Sequence, residues 1–388
     1  MPESHERPKV DRKARLQIPP QKIAKQDPNV RVLNWSEVYL PLSLDMAKAE
    51  AERCIQCPAA PCQAACPAHN DIPRALWKLE QGDALAAADV FHETSSMPEM
   101  CGRLCPQERL CEGHCVVGKN AKPVAIGRLE AFVADAWRLR EVAVAPPEPS
   151  GRRVAVVGAG PAGLTVAQKL AERGHAVTIF DAWPELGGVL RYGIPNFKLE
   201  KRVLDEWLER LEALPVEFIG STRIGKSGVQ TVDGLLEEGY DAVFLGHGAS
   251  DGNPLDVDGV ELSGVHLATP FLSRGNLRQD ALPESMREPL HVGRRVVIIG
   301  GGDTSMDCAR TAIRLGGSEV TLVYRRTEKE MVGREEERQH AREEGVRFEF
   351  LCAPVRFLGT GSGRVRAVQL ERMELGPPDE SGRRRPQP

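Results

Sequence analysis

The sequence predicts an α/β protein in which a helical, cysteine-rich N-terminal domain precedes two doubly wound, Rossmann-like nucleotide-binding domains. Three observations predict this fold. Eight of the ten cysteines fall between residues 54 and 115, among segments with helical periodicity. Two later segments, "RVAVVGAGPAGLTVAQKLAERGHAVTIFDA" and "GRRVVIIGGGDTSMDCARTAIRLGGSEVTLVYRR", each have the pattern strand, glycine turn, helix, strand. The proline-rich stretch "VAPPEPSGRR" separates the helical part from these two units.

Length and composition narrow the class of protein. A chain of 388 residues with 41% hydrophobic content can bury the cores of two to three domains. A formal net charge of -4 gives no electrostatic reason to expect nucleic acid as a partner. The sequence has neither an apolar run near the roughly 18 residues of a membrane span nor the apolar core of a secretory signal. We therefore expect a cytoplasmic protein with no nucleic-acid or membrane partner.

The pattern along the chain predicts five segments. In the helical part, Ser43 is a predicted N-cap, Gly82 separates two short amphipathic helices, and a third helix covers residues 126–142. The C-terminal stretch "GPPDESGRRRPQP" is polar and predicts loop or disorder. The predicted segments are an extended arm over 1–34, a helical domain over 35–147, a first nucleotide-binding domain over 148–290, a second over 291–375, and a linker or tail over 376–388.

The first glycine turn follows the apolar strand 154–157. Gly158 permits the tight turn, Gly160 lets the backbone approach a pyrophosphate, and Gly163 lets the helix pack close to the sheet. Asp181 ends the next strand at the expected offset of about twenty residues, where it can bind a ribose hydroxyl. The alternative is a glycine-rich turn of an unrelated α/β domain, but both strands, the helix and the acid are in register.

The second glycine turn, "GGGDTS", differs from the first in two ways. Its third fingerprint position is Ser305, a small residue that still allows close packing. At the end of the following strand two arginines replace the acid, and arginine pairs with a 2′-phosphate through charge-assisted hydrogen bonds. The pattern therefore favours NADP(H) over NAD(H), with a solvated basic pair as the alternative. The candidate contacts are Gly300, Gly302, Asp303, Thr304, Arg325 and Arg326.

The clustered cysteines have three possible roles. Disulfides are rare in the cytoplasm. Zinc sites usually use paired CxxC knuckles, whereas here only Cys54 and Cys57 have that spacing. Cys66 and Cys105 are each followed by proline, as in the C-P ending of ferredoxin runs. Eight cysteines beside two nucleotide sites favour two [4Fe–4S] clusters that carry single electrons, and zinc, which has no redox change, remains the alternative.

The order of these parts resembles a known family. The spacing C-x2-C-x4-C-x3-C, then "CGRLCPQERLCEGHC", "IGRLEAF" and the two nucleotide units closely resembles the small (β) subunit of NADPH-dependent glutamate synthase. It is also similar to the N-terminal half of dihydropyrimidine dehydrogenase and to the large subunit of the electron-bifurcating ferredoxin:NADP oxidoreductase. The resemblance covers residues 35 to about 375, with "MPEMCGRLCPQERLCEGHC" as its most specific segment.

The resemblance implies a division of the cysteines between two clusters. One cluster would take Cys54, Cys57, Cys62 and the carboxylate of Glu130, and Cys101 would be left over, packed near a cluster. The alternative for Glu130 is an acid on the helix surface. Cys308 and Cys352 are expected to be small core residues. The other cluster would take Cys66, Cys105, Cys111 and Cys115.

The first nucleotide unit resembles the FAD domain of the flavin disulfide reductases. In that superfamily a second glycine pair, here Gly187 and Gly188, follows the acid and marks FAD, and "YDAVFLGHGA" looks like the crossover between domains. The resembling family continues with a glycine–aspartate motif that contacts the flavin. No such motif follows "RMELGPPDESGRRRPQP", so we expect a C-terminal FAD segment to be missing and the FAD site to be incomplete.

The resemblance implies an electron-input subunit of glutamate synthase. Electrons would pass from NADPH to FAD, to the [4Fe–4S] clusters and to the flavin of a larger α-like catalytic subunit, or to a ferredoxin-type acceptor. An equivalent subunit of a pyrimidine-reducing or ferredoxin:NADP oxidoreductase complex is one alternative. A non-catalytic, cluster-bearing scaffold is the other. The residues indicate no catalytic acid–base pair.

Overall fold

The computed structural model describes residues 7–140, 147–226, 230–249, 252–380 and 382–388. The N-terminal part of the described chain is helical, with short 3₁₀ turns at Gln107–Arg109 and Val116–Lys119. Part of the predicted linker and the last two residues of the predicted helix 126–142 lie outside the described residues. The helices are α1 Arg12–Arg15, α2 Pro28–Arg31, α3 Leu44–Glu52, α4 Pro61–Ala64, α5 Ile72–Glu80, α6 Ala84–His92, α7 Pro98–Leu104 and α8 Ile126–Arg138.

Local signals place the ends of these helices. Ser43 caps α3, and its hydroxyl accepts a hydrogen bond from the Met46 backbone N–H, as the sequence predicts. Gly82, with φ of +88°, stands between α5 and α6. One apolar face of each long helix is buried in a shared core that includes Leu76, Phe91 and Leu129. The core therefore holds the cysteine-bearing loops between rigid helices.

The N-terminal arm is anchored to the protein. Arg7 pairs with Asp71 at 2.7 Å, whereas Arg31 is only 1% exposed and pairs with Glu344 at 2.8 Å in the last third of the chain. The arm therefore runs from the helical domain to the second nucleotide unit. Composition alone predicts only an extended arm, because these partners are distant in sequence.

The first nucleotide unit contains a parallel sheet of order β3-β2-β1-β4. Val154 to Val157 of β1 are buried, because helices cover a parallel sheet. Helix α9 follows β1 directly, so its N-terminus faces the carboxyl ends of the strands. The elements are β1 Arg153–Val157, α9 Pro161–Ala171, β2 Ala176–Phe180, α10 Val189–Tyr192, α11 Lys201–Glu212, β3 Val216–Ile219, α12 Val232–Glu237 and β4 Ala242–Leu245.

The second nucleotide unit repeats the plan with a parallel sheet of order β5-β6-β7. Two antiparallel pairs, β8 with β9 and β10 with β11, follow it. The prediction of loop or disorder for residues 376–388 is wrong in part, since Pro378 pairs with Arg384 across the last two strands. The elements are α13 Ala268–Asn276, β5 Arg295–Ile299, α14 Asp303–Arg314, β6 Glu319–Tyr324, α15 Glu335–Glu343, β7 Arg347–Phe350, β8 Cys352–Gly359, β9 Val365–Arg372, β10 Glu374–Pro378 and β11 Arg384–Gln387.

Candidate functional site

The first glycine turn is closely packed against β4. A Cβ built at Gly158, whose φ is +107°, would lie 2.4 Å from the carbonyl oxygen of Gly246. A Cβ at Gly163 would lie 1.9 Å from the carbonyl oxygen of Gly158. Both positions therefore exclude any side chain, and the N-terminus of α9 stays open for an anion.

The second glycine pair lies directly against the first turn. Gly187 donates its N–H to the carbonyl oxygen of Ala159 at 2.9 Å. A Cβ built at Gly188 would lie 2.5 Å from the Cα of Gly160. The two glycine loops, 28 residues apart in "GPAG…LGG", thus form one backbone cradle. A cradle that excludes side chains at Gly158, Gly187 and Gly188 fits the pyrophosphate of a dinucleotide such as FAD.

Asp181 holds this cradle together. Its carboxylate accepts hydrogen bonds from the backbone N–H of Ala159 at 2.6 Å and of Trp183 at 2.8 Å. Each carboxylate oxygen can accept more than one hydrogen bond, so a ribose hydroxyl could still bind there. The sequence predicts the ribose contact, but the bond to the glycine turn depends on the pairing of β1 with β2.

The second glycine turn is built from different contacts. Gly300 has φ of +142°, and a Cβ there would lie 2.4 Å from the Ser305 hydroxyl oxygen. A Cβ at Gly301 would lie 2.6 Å from the ring of Tyr324. Gly302 precedes α14, whose first residue, Asp303, accepts a hydrogen bond from the Arg334 backbone N–H at 2.8 Å. Thr304 is exposed in the first turn of that helix.

The two arginines after β6 differ in burial. Arg325 is exposed, whereas Arg326 is 9% exposed and its guanidinium carbon lies 5.6 Å from the centroid of the Tyr324 ring. Within the described residues neither side chain forms an ion pair. Because Tyr324 also packs on Gly301, Arg326 is connected to the glycine turn through this ring. The sequence interpretation missed Tyr324, although it ends the same strand.

Four cysteines line one cavity in the helical domain. Its other walls are mainly apolar and include Ile55 and Ile72. Burial raises the pKa of Cys54 and of Cys62 to about 12. Ligation requires thiolates, so a bound metal would displace these protons. The thiols that line this cavity belong to Cys54, Cys57, Cys62 and Cys115.

A second group of thiols lies around Glu130. Burial is the main cause that raises the pKa of the Glu130 carboxyl well above its usual range, and the nearby Cys101 adds to it. Asn70 donates its amide N–H to this carboxylate at 3.2 Å. Charge interactions connect Glu130 with Cys66 and Cys111, and the neighbouring Cys105 thiol is the main cause that raises the pKa of Cys101.

The structure groups two of these residues differently from the predicted division. Cys115 lies with Cys54, Cys57 and Cys62, and Glu130 lies with the other group. The reason is the packing of α7 on α8: a Cβ at Gly102 would lie 2.5 Å from the backbone nitrogen of Ala131, which brings Glu130 to the Cys101–Cys111 side.

The donor sets fit iron–sulfur ligation. One site offers four thiols in an apolar cavity, and the other offers thiols beside a buried carboxylate. All ten cysteines are free of disulfides. Among the described residues, no group of three or more His, Cys, Asp or Glu is arranged to hold a single metal ion.

Comparisons with known proteins match both parts of the chain. A family model described as dihydropyrimidine dehydrogenase domain II, 4Fe-4S cluster, matches residues 31–142. A model described as pyridine nucleotide-disulphide oxidoreductase matches residues 152–375. The glutamate synthase [NADPH] small chain of Escherichia coli (strain K12) is 41% identical over 374 residues, which cover 95% of this chain and 77% of that protein. The chain belongs to the glutamate synthase small-chain family.

Two further relatives of this chain are not named as glutamate synthases. The putative oxidoreductase UacF of Escherichia coli (strain K12) is 43% identical over 92% of this chain and 56% of that protein. The β subunit of the NADPH-Fe(3+) oxidoreductase of Geobacter sulfurreducens is 38% identical over 92% of this chain and 52% of that protein. The chain thus spans about half the length of these two relatives.

These findings confirm the fold class and the family. A helical iron–sulfur domain precedes pyridine-nucleotide units of Rossmann type, and the two family models support iron–sulfur and nucleotide cofactors. No helix among the described residues is long and apolar enough to cross a bilayer.

Proposed function

We propose that this chain is the NADPH-dependent, flavin- and iron–sulfur-containing electron-input subunit of a glutamate synthase. The observation that carries the proposal is its 41% identity, over most of its length, to a glutamate synthase small chain. The arrangement of sites supports it, because two thiol groups and two glycine cradles occur in one chain.

Each cofactor has a set of residues that would hold it. The cradle of Gly158, Gly160 and Gly188 would hold the pyrophosphate of FAD, with Asp181 on a ribose. The second turn would hold NADP(H), with Arg326 and Arg325 near the 2′-phosphate. Two [4Fe–4S] clusters would take the two thiol groups, one of them completed by Glu130 or Cys101. When bound, these groups supply hydride and single-electron transfer.

The residues of the chain contribute position and environment. The helix N-termini of α9 and α14 face the two phosphate sites, and their dipoles favour anions there. The apolar walls around Cys54 and Cys62 bury these two thiols of the first group. Asp181 keeps the flavin cradle closed through its bond to Ala159.

A larger subunit is the proposed partner. The names small chain and β subunit, carried by two relatives, each imply a second component in those proteins. For this chain we propose a larger catalytic subunit of the glutamate synthase type. A different acceptor on the same scaffold is the second candidate, because the Geobacter sulfurreducens relative is named for iron(III).

Purified protein tests the proposal. We expect flavin absorbance, iron and acid-labile sulfide, and reduction of an artificial acceptor by NADPH in preference to NADH. Co-purification from the native host should recover a larger flavin-containing chain. Absence of both flavin and NADPH turnover would exclude the enzyme function and leave the cluster-bearing scaffold.

A further inference from the structure

A polar bridge joins the second thiol group to the second nucleotide turn. The cluster loop, residues 105–111, carries Gln107, which is 4% exposed. The amide nitrogen of Gln107 donates to the carbonyl oxygens of Cys101 at 3.3 Å and Gly102 at 3.0 Å. Its amide oxygen accepts a hydrogen bond from the guanidinium of Arg334 at 2.9 Å. One side chain thus contacts both the cysteine segment and a residue more than 200 positions later.

The other end of the bridge lies on the glycine turn. The nucleotide loop, residues 331–334, is held to the turn by the Gly333 N–H, which donates to the Gly301 carbonyl oxygen at 2.9 Å. The Arg334 N–H donates to the Asp303 carboxylate at 2.8 Å. A Cβ built at Gly333 would lie 3.1 Å from the carbonyl carbon of Gly302, so the two segments are in close contact.

A second link runs parallel to the first. The exposed Arg109 of the cluster loop donates to the Val332 carbonyl oxygen at 2.7 Å. The Glu108 carboxylate lies 3.5 Å from the Nε of Arg334. Three consecutive residues of the cluster loop therefore contact the nucleotide loop, which itself contacts the turn where the pyrophosphate of NADP(H) is proposed to bind.

We propose that Gln107 and Arg109 are positioning residues for NADP(H) and that they couple the nucleotide site to the cluster bound by Cys105 and Cys111. They fix the nucleotide loop, so the glycine turn is preformed when the dinucleotide arrives. By linkage, dinucleotide bound at the turn must then alter the environment of the cluster loop. This inference rests on the proposed function.

The probe for the test is 2′-phospho-ADP-ribose. It keeps the 2′-phosphate and the pyrophosphate but has no nicotinamide, so it binds without redox chemistry. In the holoprotein, Gln107→Leu should weaken its binding about tenfold, because the leucine keeps the volume of glutamine but loses the bond to Arg334. The KM for NADPH should rise more than kcat falls. The control Arg342→Gln changes an arginine of α15 that pairs with Glu328 instead, and it should leave the affinity unchanged.

A spectroscopic measurement tests the reciprocal effect. In dithionite-reduced wild-type protein, saturating probe should change the electron paramagnetic resonance spectrum of one cluster. In Gln107→Leu the spectrum should be insensitive to the probe at concentrations that saturate this variant. A side chain with only a structural role would not produce this difference.

The outcomes separate this inference from the function on which it rests. Wild-type protein that holds no iron or binds no probe would overturn the proposed function and this inference with it. Wild-type protein that binds the probe without any spectral change, or Gln107→Leu with wild-type affinity, would overturn the coupling alone. If Gln107→Leu does not fold, the variant Arg109→Ala, at an exposed residue, replaces it in the test. Binding of the probe that is about threefold weaker than in wild type supports the bridge, and unchanged binding overturns it.

Discussion

The positions of Cys115 and Glu130 depend on packing between segments that are distant in sequence. Cys115 is nearer in sequence to Cys105 and Cys111, yet it lines the cavity of Cys54, Cys57 and Cys62. The 3₁₀ turn Val116–Lys119 follows it, and Val116 and Val117 form part of the same apolar wall. We infer that this thiol completes the first site.

Pairs of substitutions test this assignment. Cys54→Ala and Cys115→Ala should each remove one cluster, and the double variant should lose no more iron than either single variant, because both residues serve one site. Cys54→Ala combined with Cys105→Ala should lose the iron of both sites. Iron and sulfide quantitation measures this, and additive losses from the Cys54 and Cys115 pair would contradict the grouping.

Arg326 is the better placed of the two arginines to select NADPH. It is mostly buried beside Tyr324, which touches the glycine turn, and so it is held in position before the ligand binds. Arg326→Ala should raise the KM for NADPH about tenfold and that for NADH less than twofold, because a charge-assisted bond contributes about 1.5–3 kcal/mol. Arg325→Ala should have a smaller effect of the same kind.

Steady-state kinetics with both nucleotides measures this preference. Arg347→Ala, which removes an exposed arginine on the neighbouring strand β7, is the matched control. An equal loss for NADPH and NADH in Arg326→Ala would refute the phosphate contact.

At the scale of elements, the contact between the two glycine loops determines the flavin site. Gly188→Ala should abolish most flavin binding, since the new Cβ would lie 2.5 Å from the Cα of Gly160 and force the loops apart. Gly345→Ala is the control: its φ is +94°, but the added Cβ meets no atom within 4 Å. Flavin absorbance per protein measures the effect, and full flavin content in Gly188→Ala would show that the loops separate without cost.

The short helix α10 is contacted by a half-buried lysine. Lys201 donates to the carbonyl oxygens of Leu190 at 3.0 Å and Ile194 at 2.5 Å, and burial lowers its pKa to about 7. The pKa of a lysine in the unfolded chain is about 10.4. At a pH between these two pKa values, Lys201 is protonated in the unfolded state and neutral in the folded state, so the free energy of unfolding should rise with pH.

Removal of the ammonium group should abolish that dependence. Between pH 7 and pH 10, the free energy of unfolding of Lys201→Met should rise less steeply with pH than that of wild type, by at most about 1.4 kcal/mol per pH unit. Urea unfolding across this range measures the difference from wild type. Lys169→Met, at an exposed lysine of α9, should keep the wild-type slope, and an unchanged slope in Lys201→Met would contradict a neutral lysine.

The elements differ in how far sequence predicts them. Both strand–turn–helix units follow from local periodicity and from glycines whose close contacts lie within the same unit, such as Gly163 on Gly158. The grouping of the cysteines does not follow from local periodicity. Glu130 lies beside its group of thiols because Gly102 of one helix packs on Ala131 of another. The sequence does not predict the hairpin of β10 and β11, because its strands are polar and contain proline.

At the scale of the whole molecule, the N-terminal arm and the residues directly after it connect all the parts. Glu37 accepts hydrogen bonds from Arg103 of the helical domain and from the Glu200 N–H of the first nucleotide unit. Arg31 contacts Glu343 and Glu344 in the second unit, each at 2.8 Å. Composition could not predict this role, because it depends on acids at the other end of the sequence.

Arg31→Ala should release this connection. We expect the free energy of unfolding to fall by about 2 kcal/mol. This loss is smaller than for most broken buried ion pairs, because Glu344 remains paired with Arg310 and Arg314. Hydrogen exchange over residues 25–39 should become at least tenfold faster. Arg12→Ala, at an arginine of the arm that contacts the helical domain, should leave exchange in α15 unchanged. Unaltered exchange in Arg31→Ala would show that the arm is held by other contacts.

The position of Arg31 also sets an order of assembly during synthesis. Its partner Glu344 emerges from the ribosome 313 residues later. The eight cysteines up to Cys115 are translated long before Arg31 can pair with Glu344, and domains generally fold in the order in which they are made. The thiol sites are therefore synthesised before the second nucleotide unit exists, and the contact of Arg31 with that unit forms last.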